Sequence, residues 1–202
     1  FVDCSGVIPT PATLTLKKGP IASSEGAFGG QSFIFSILED ITVPVNDGIA
    51  YFDDIIISEG TLLTSNFTYS GRNPNQKFIL PNSGIDTALI SVTVKGNQQS
   101  TTSTKYTTQD SLLDIKSDSK VYYLQEIENE RYEIFFGDGI FGKKLEENNY
   151  ITVNYITCNG DSANGISQFQ FSGKLSYIRN SQEYTVTSGI SLLTTGVTAQ
   201  GG

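Results

Sequence analysis

Arg131-Tyr132-Glu133-Ile134-Phe135-Phe136-Gly137-Asp138-Gly139-Ile140-Phe141-Gly142-Lys143-Lys144-Leu145 is the stretch that decides the fold. Aromatic and β-branched residues run through Tyr132–Phe136, the composition of a strand. The run ends in Asp138-Gly139, a strong hairpin signal, because both central positions of a type I′ turn take positive φ. Gly137 and Gly142 bracket the turn, and Phe136 and Phe141 are placed to pin the register across the strands. The local expectation is a hairpin at 136–142 with no chemistry of its own.

Working outward, the same grammar repeats. Thr13-Leu14-Thr15-Leu16 alternates polar and apolar before Gly19-Pro20, and Leu89 to Val94 alternates again. Phe33 to Leu38 is apolar on both sides, as in a strand covered on two faces. Ile41-Thr42-Val43-Pro44-Val45 carries a proline that predicts an edge position, and Asn46-Asp47-Gly48 is a turn. Strands are also expected at 77–80, 121–127, 150–156 and 184–187. Ser23–Gly30, Ser70–Asn75 and Asn159–Gly165 read as loops. Gln98–Thr108 reads as a solvated loop or edge excursion anchored by Tyr106, and Ser111–Asp114 as a single helical turn. With 20 Gly and 6 Pro among 202 residues and no long Ala/Glu/Lys/Leu run, the expected class is mainly β: antiparallel sheets with little helix.

Composition narrows the chemistry further. The net charge is −8 and the 13 basic residues are scattered, a poor match to nucleic acid, which needs clustered Lys and Arg. No stretch is long and apolar enough for a membrane span or a signal peptide. The chain contains 0 His, which removes Ser-His-Asp and Cys-His nucleophilic sites and histidine metal sites. Cys4 and Cys158 are too few for a cysteine metal cluster, and are expected to be free thiols in a reducing compartment. No phosphate-binding loop is present. Asp53-Asp54 would point to opposite faces of a strand, and Glu126, Glu128 and Glu130 would line one solvated strand face. With 0 Trp for a sugar platform, a glycoside hydrolase is disfavoured. No catalytic, cofactor or metal residue is assigned. A bacterial adhesin or pilin-like β-domain shares this Thr/Asn/Gly-rich strand composition and is the alternative reading.

The strings Val121-Tyr122-Tyr123-Leu124-Gln125-Glu126 and Tyr132 to Lys143, with Tyr150–Ile156 and Asn73 to Asn82, resemble the baseplate wedge protein of contractile-tailed, T-even-type bacteriophages. The similarity runs from about Ala12 to Gly202. It implies a virion structural protein of the tail baseplate, assembled in the host cytoplasm, and not an enzyme. The implied partners are other copies of the chain, as dimer and ring around a central hub, and other wedge proteins. Nucleic acid, membrane, cofactor and small-molecule substrate are not implied. The resemblance also suggests an outer β-domain, 1–70 with 161–202, into which a β-domain at 71–160 carrying the 136–142 hairpin is inserted. It then predicts that Thr13–Leu16 and Tyr184–Thr187 share a sheet. The abrupt ends suggest a piece of a larger polypeptide. For interface contacts the expected residues are Phe141, Lys143 and Lys144.

Overall fold

A computed structural model describes residues 1–24, 31–73, 75–109, 114–194 and 196–201. The loop residues 25–30, Pro74 and residues 111–113 of the helical turn expected at 111–114 lie outside the described residues. The strands are β1 (Val2–Asp3), β2 (Thr13–Leu16), β3 (Gly19–Ser23), β4 (Ile34–Ile37), β5 (Ile41–Asn46), β6 (Ile49–Ala50), β7 (Ser58–Glu59) and β8 (Thr61–Thr68). They continue as β9 (Phe78–Leu80), β10 (Ile85–Lys95), β11 (Ser103–Tyr106), β12 (Tyr122–Ile127), β13 (Arg131–Phe136) and β14 (Tyr150–Thr157). The last three are β15 (Gln170–Phe171), β16 (Leu175–Arg179) and β17 (Gln182–Val186). The only helical element described along its whole length is a 3₁₀ turn at Gly160–Ala163. The chain is mainly β, with antiparallel sheets. It divides into two compact units, Phe1–Leu62 with Cys158–Gly202, and Leu63–Thr157.

The first unit holds a six-stranded sheet in the order β1-β6-β5-β2-β16-β17 and a four-stranded sheet in the order β15-β3-β4-β7. Alternation in β2 buries Leu14 and Leu16 and leaves Thr13 exposed. Thr13–Leu16 and the 182–186 strand lie in the same sheet with β16 between them, as expected. Pro44 sits where β5 is bonded to β2 alone, since β6 reaches only Val45 and Asn46, so the missing N–H costs no ladder bond. Asp47 and Gly48 make the β5–β6 turn at φ +50° and +81°, where the sequence predicts a turn, with positive φ at both central positions as in type I′. The two-faced burial expected of Phe33–Leu38 holds only in part. Phe33, Phe35 and Ile37 are buried, but Ile34 is 40% exposed, while buried Ser36 donates its hydroxyl to the Gly60 carbonyl at 2.8 Å. Cys4 is buried, and Cys4 and Cys158 form no disulfide.

The second unit holds the sheets β11-β10-β14-β8 and β12-β13-β9. The register Val92↔Val153 and Val94↔Ile151 stacks β-branched side chains across β10 and β14. These meet Phe78, Leu80, Tyr122 and Ile134 from the smaller sheet in one apolar cluster. Each such side chain contributes roughly 1.5–3 kcal/mol on full burial. Tyr106 anchors the polar 98–108 stretch, as expected, through the edge strand β11.

The hairpin expectation is overturned. Residues 136–142 are not a hairpin. β13 pairs with β12 through a turn in which Asn129 and Glu130 take φ +65° and +55°. Its other side pairs with β9. β12 covers β13 along its whole length and β9 covers it over Tyr132–Ile134, while the chain after Gly137 returns to Gly137 only through a parallel bridge at Lys144 and forms no antiparallel ladder with β13. Positive φ falls on Gly139 (+94°) and Gly142 (+92°) rather than on Asp138, so the turn is not type I′. The three glutamates also do not share a strand face: β12 ends at Ile127, and Glu128 and Glu130 belong to the turn, all three being exposed.

Candidate interaction surface

The loop that leaves β13 is organised by one carboxylate. Asp138 Oδ1 accepts the backbone N–H groups of Ile140 and Phe141, each at 2.8 Å, as aspartate does in turns. The backbone donors of Phe141 and Ile140 hold the Asp138 carboxyl below its ordinary value. Gly139 N–H donates to the Gly142 carbonyl at 3.0 Å, and the loop is tied to the 116–121 segment by Gly142 N–H to Lys116 O (3.1 Å) and Lys143 N–H to Ser119 O (2.7 Å).

Two glycines make this closure possible. A Cβ on Gly137 would lie 2.1–2.5 Å from the Gly142 backbone, and one on Gly142 would lie 2.5 Å from Val121 Cγ2. Gly137 and Lys144 are joined by a parallel bridge, so the chain returns beside its starting point without forming a hairpin. Phe136 turns inward, edge-on to Phe78 and Tyr106 at 5.7 and 5.6 Å. It does not act as the cross-strand partner of Phe141 that the hairpin reading supposed.

What the loop displays is apolar. Ile140 is 70% and Phe141 53% exposed. A small groove beside them is lined by Tyr123, Phe136, Asp138 and Phe141, and the Tyr123 hydroxyl donates to the Phe141 carbonyl at 3.3 Å. Phe135 adds a further partly exposed ring on β13. Of the expected contact residues, Phe141 and Lys144 are exposed, and Lys143 is partly so, 3.4 Å from Glu146. The structure brings the three together within one loop. Ile140 and the Asp138 clamp escaped the sequence reading; an aspartate followed two and three residues later by free backbone donors was the available signal.

Other polar groups are structural. Glu133 of β13 is 4% exposed, and Lys77 Nζ donates to its Oε2 at 3.0 Å. Glu147 accepts Gly71 N–H at 2.6 Å and the Ser70 hydroxyl at 3.3 Å. Lys17 pairs with Asp40 and lies 3.6 Å from Glu183, whose Oε1 accepts the Ser176 hydroxyl at 2.7 Å. In the first unit an apolar cleft of about 370 Å³ is lined by Phe52, Ile55, Phe171, Leu175 and Ile190, with Asp53 and Asp54 alongside. These two acids lie outside any strand, correcting the opposite-face expectation; both are exposed and Asp54 has φ +53°. Among the described residues no group of three His, Cys, Asp or Glu is placed to hold a metal ion. No helix among them is long and apolar enough to cross a membrane.

A family model described as bacteriophage baseplate wedge protein gp6, third domain, matches residues 61–164. That span contains β8 to β14 and the whole 131–145 stretch. No curated protein matches the chain.

Proposed function

The chain belongs to the bacteriophage baseplate wedge protein family, and from that premise we propose that it is a wedge module whose 137–145 loop docks a neighbouring baseplate subunit. It is a structural protein of the phage virion, placed in the tail baseplate, and it works among other baseplate proteins. Its role is mechanical. Stiff antiparallel sheets hold spacing while contacts at their tips form and rearrange.

In the proposed reading, copies of the chain pair with one another and, with other wedge proteins, join into the ring around the central hub in the host cytoplasm. The ring then carries the baseplate rearrangement when the sheath contracts. Phe141, Lys143 and Lys144 are the proposed contact residues, and no catalytic step is assigned. We also read the chain as an outer domain, 1–70 with 161–202, carrying an inserted one at 71–160; the compact units that change over at 62/63 and 157/158 support this reading.

The observation that carries the docking proposal is the exposed pair Ile140 and Phe141, held out from the unit by the Asp138 clamp. Exposed apolar side chains on a rigid support, next to charged neighbours, are the composition of a contact site. The test is co-expression of full-length protein with the other wedge proteins of its phage, followed by sedimentation of the assembled wedges. Phe141→Asp with Lys143→Glu and Lys144→Glu should yield folded protein that no longer enters wedges. Unchanged incorporation of that variant would overturn the docking role of the loop.

A further inference from the structure

The loop after β14 contains two Asn-Gly pairs, Asn159-Gly160 and Asn164-Gly165, and the structure treats them differently. Asn-Gly is the sequence most prone to spontaneous deamidation, because glycine has no side chain to hinder attack by its backbone nitrogen on the asparagine amide. The attack requires a mobile asparagine side chain and an accessible nitrogen on the following glycine.

Asn159 lacks the first requirement. Its Nδ2 donates to Glu59 Oε1 at 2.8 Å, and its backbone N–H donates to Glu59 Oε2 at 2.9 Å. Both ends of the residue are held by one carboxylate. Asn164 is exposed, follows the 3₁₀ turn, and has extended backbone at φ −62°, ψ 137°. Its restraint lies on the neighbouring nitrogen. Gly165 N–H donates to the Ala199 carbonyl at 3.0 Å, while Ala199 N–H donates to the Ile166 carbonyl at 2.8 Å. Ala199 packs against the small cluster of Ala163 and Ile166, so these two bonds tether the C-terminal segment.

We propose that Asn164 is a self-modification site gated by the Ala199 tether, and that Asn159 is protected by Glu59. When the tether opens, hydroxide removes the Gly165 N–H proton and the nitrogen attacks Asn164 Cγ. The new N–Cγ bond closes a five-membered succinimide as the Cγ–Nδ2 bond breaks and ammonia leaves, protonated by water. Water then adds to either imide carbonyl and opens the ring to isoaspartate or aspartate. The net change is one water consumed and one ammonia released, with a new carboxylate beside the tether. The modified chain therefore recloses its C-terminal segment less well.

Peptide mapping by mass spectrometry after incubation of the folded chain in mildly alkaline buffer reads both sites at once. Conversion at Asn164 should exceed that at Asn159 by roughly tenfold or more, the factor supplied by about 1.4 kcal/mol of difference in local restraint. A chain ending at Thr198, which lacks the Ala199 carbonyl, should convert Asn164 faster by a similar factor. Glu59→Ala should open Asn159 without changing Asn164. Asn164→Gln should abolish the signal at that peptide, since the six-membered ring closes slowly. Equal or faster conversion at Asn159, no conversion at either site in the folded chain, or no effect of the truncation would each overturn the proposal.

Discussion

Asp138 Oδ1 accepts the backbone N–H of Phe141 at 2.8 Å, so a carboxylate outside the core sets the position of the most exposed aromatic ring in the second unit. The same oxygen takes Ile140 N–H at 2.8 Å. One carboxylate thus holds the backbone of both exposed apolar residues, alongside the backbone bonds that tie Gly142 and Lys143 to the 116–119 segment.

Replacing Asp138 with alanine should loosen residues 138–142 while leaving the sheet intact. Amide hydrogen exchange at Ile140 and Phe141 should rise, with β13 unchanged. The sign of the shift sets the pH dependence. The folded carboxyl titrates below its unfolded value, so its contribution is present above the ordinary carboxylate range and lost as pH falls through the folded pKa. The protection of Ile140 and Phe141 amides, measured relative to their intrinsic exchange rates at each pH, should therefore fall on acidification, and that of the Asp138→Asn variant should not change over that range.

Gly137→Ala should destabilise the chain through overlap, because its Cβ would stand 2.1–2.5 Å from the Gly142 backbone. Relief requires moving main chain, and overpacking of this kind costs about 1–3 kcal/mol. Denaturant unfolding should show that loss, together with new chemical shifts at Lys116 and Ser119, whose carbonyls receive the loop. A neutral Gly137→Ala would contradict the close approach.

Lys77→Ala should leave the Glu133 carboxylate, 5% exposed at its side chain, without its 3.0 Å partner. Removing one partner of a buried pair costs about 1–3 kcal/mol, toward the lower end here because Lys77 is 64% exposed. Adding Glu133→Gln should recover part of the loss, and the double-mutant cycle measures the coupling.

The Lys17–Asp40–Glu183 group should stabilise the first unit between the carboxylate and lysine ranges and fail at both ends. Burial alone would raise the Asp40 carboxyl, but the Lys17 ammonium and Lys18 N–H hold it below its ordinary value. The Ser176 hydroxyl and then Lys17 lower Glu183, while the Asp40 hydrogen bond first of all raises Lys17. The lowered acids lose their contribution as pH falls through their folded pKa; the raised lysine loses its own as pH rises through its folded pKa. Wild type should exceed Lys17→Met in melting temperature at neutral pH, and the gap should close in acid, in strong alkali and in high salt.

Much of the β framework was legible because it rests on local rules. Leu14 and Leu16 face the core since period-two alternation puts them there, and Asp47-Gly48 reverses the chain since both residues accept positive φ. The candidate surface was legible only in part. Phe141, Lys143 and Lys144 do share one loop, but the clamp from Asp138 and the exposure of Ile140 depend on how 138–142 is bent. Glu133 was hidden for a related reason, since the lysine that pairs with it, Lys77, is 56 residues away in sequence.

Asp138-Gly139 draws the boundary most clearly. By itself the sequence determined that the chain is antiparallel β and that 132–136 is a strand followed by a turn. Local propensity and alternation suffice for that. Only the tertiary structure decided the path of residues 137–145, because hydrogen-bonding edges are a finite resource shared across the fold. β12 pairs with β13 as far as Phe136, and backbone bonds from Gly142 and Lys143 draw the following chain to the 116–119 segment, so the best hairpin signal in the chain closes on itself, around a carboxylate and two glycines, as a loop that faces outward.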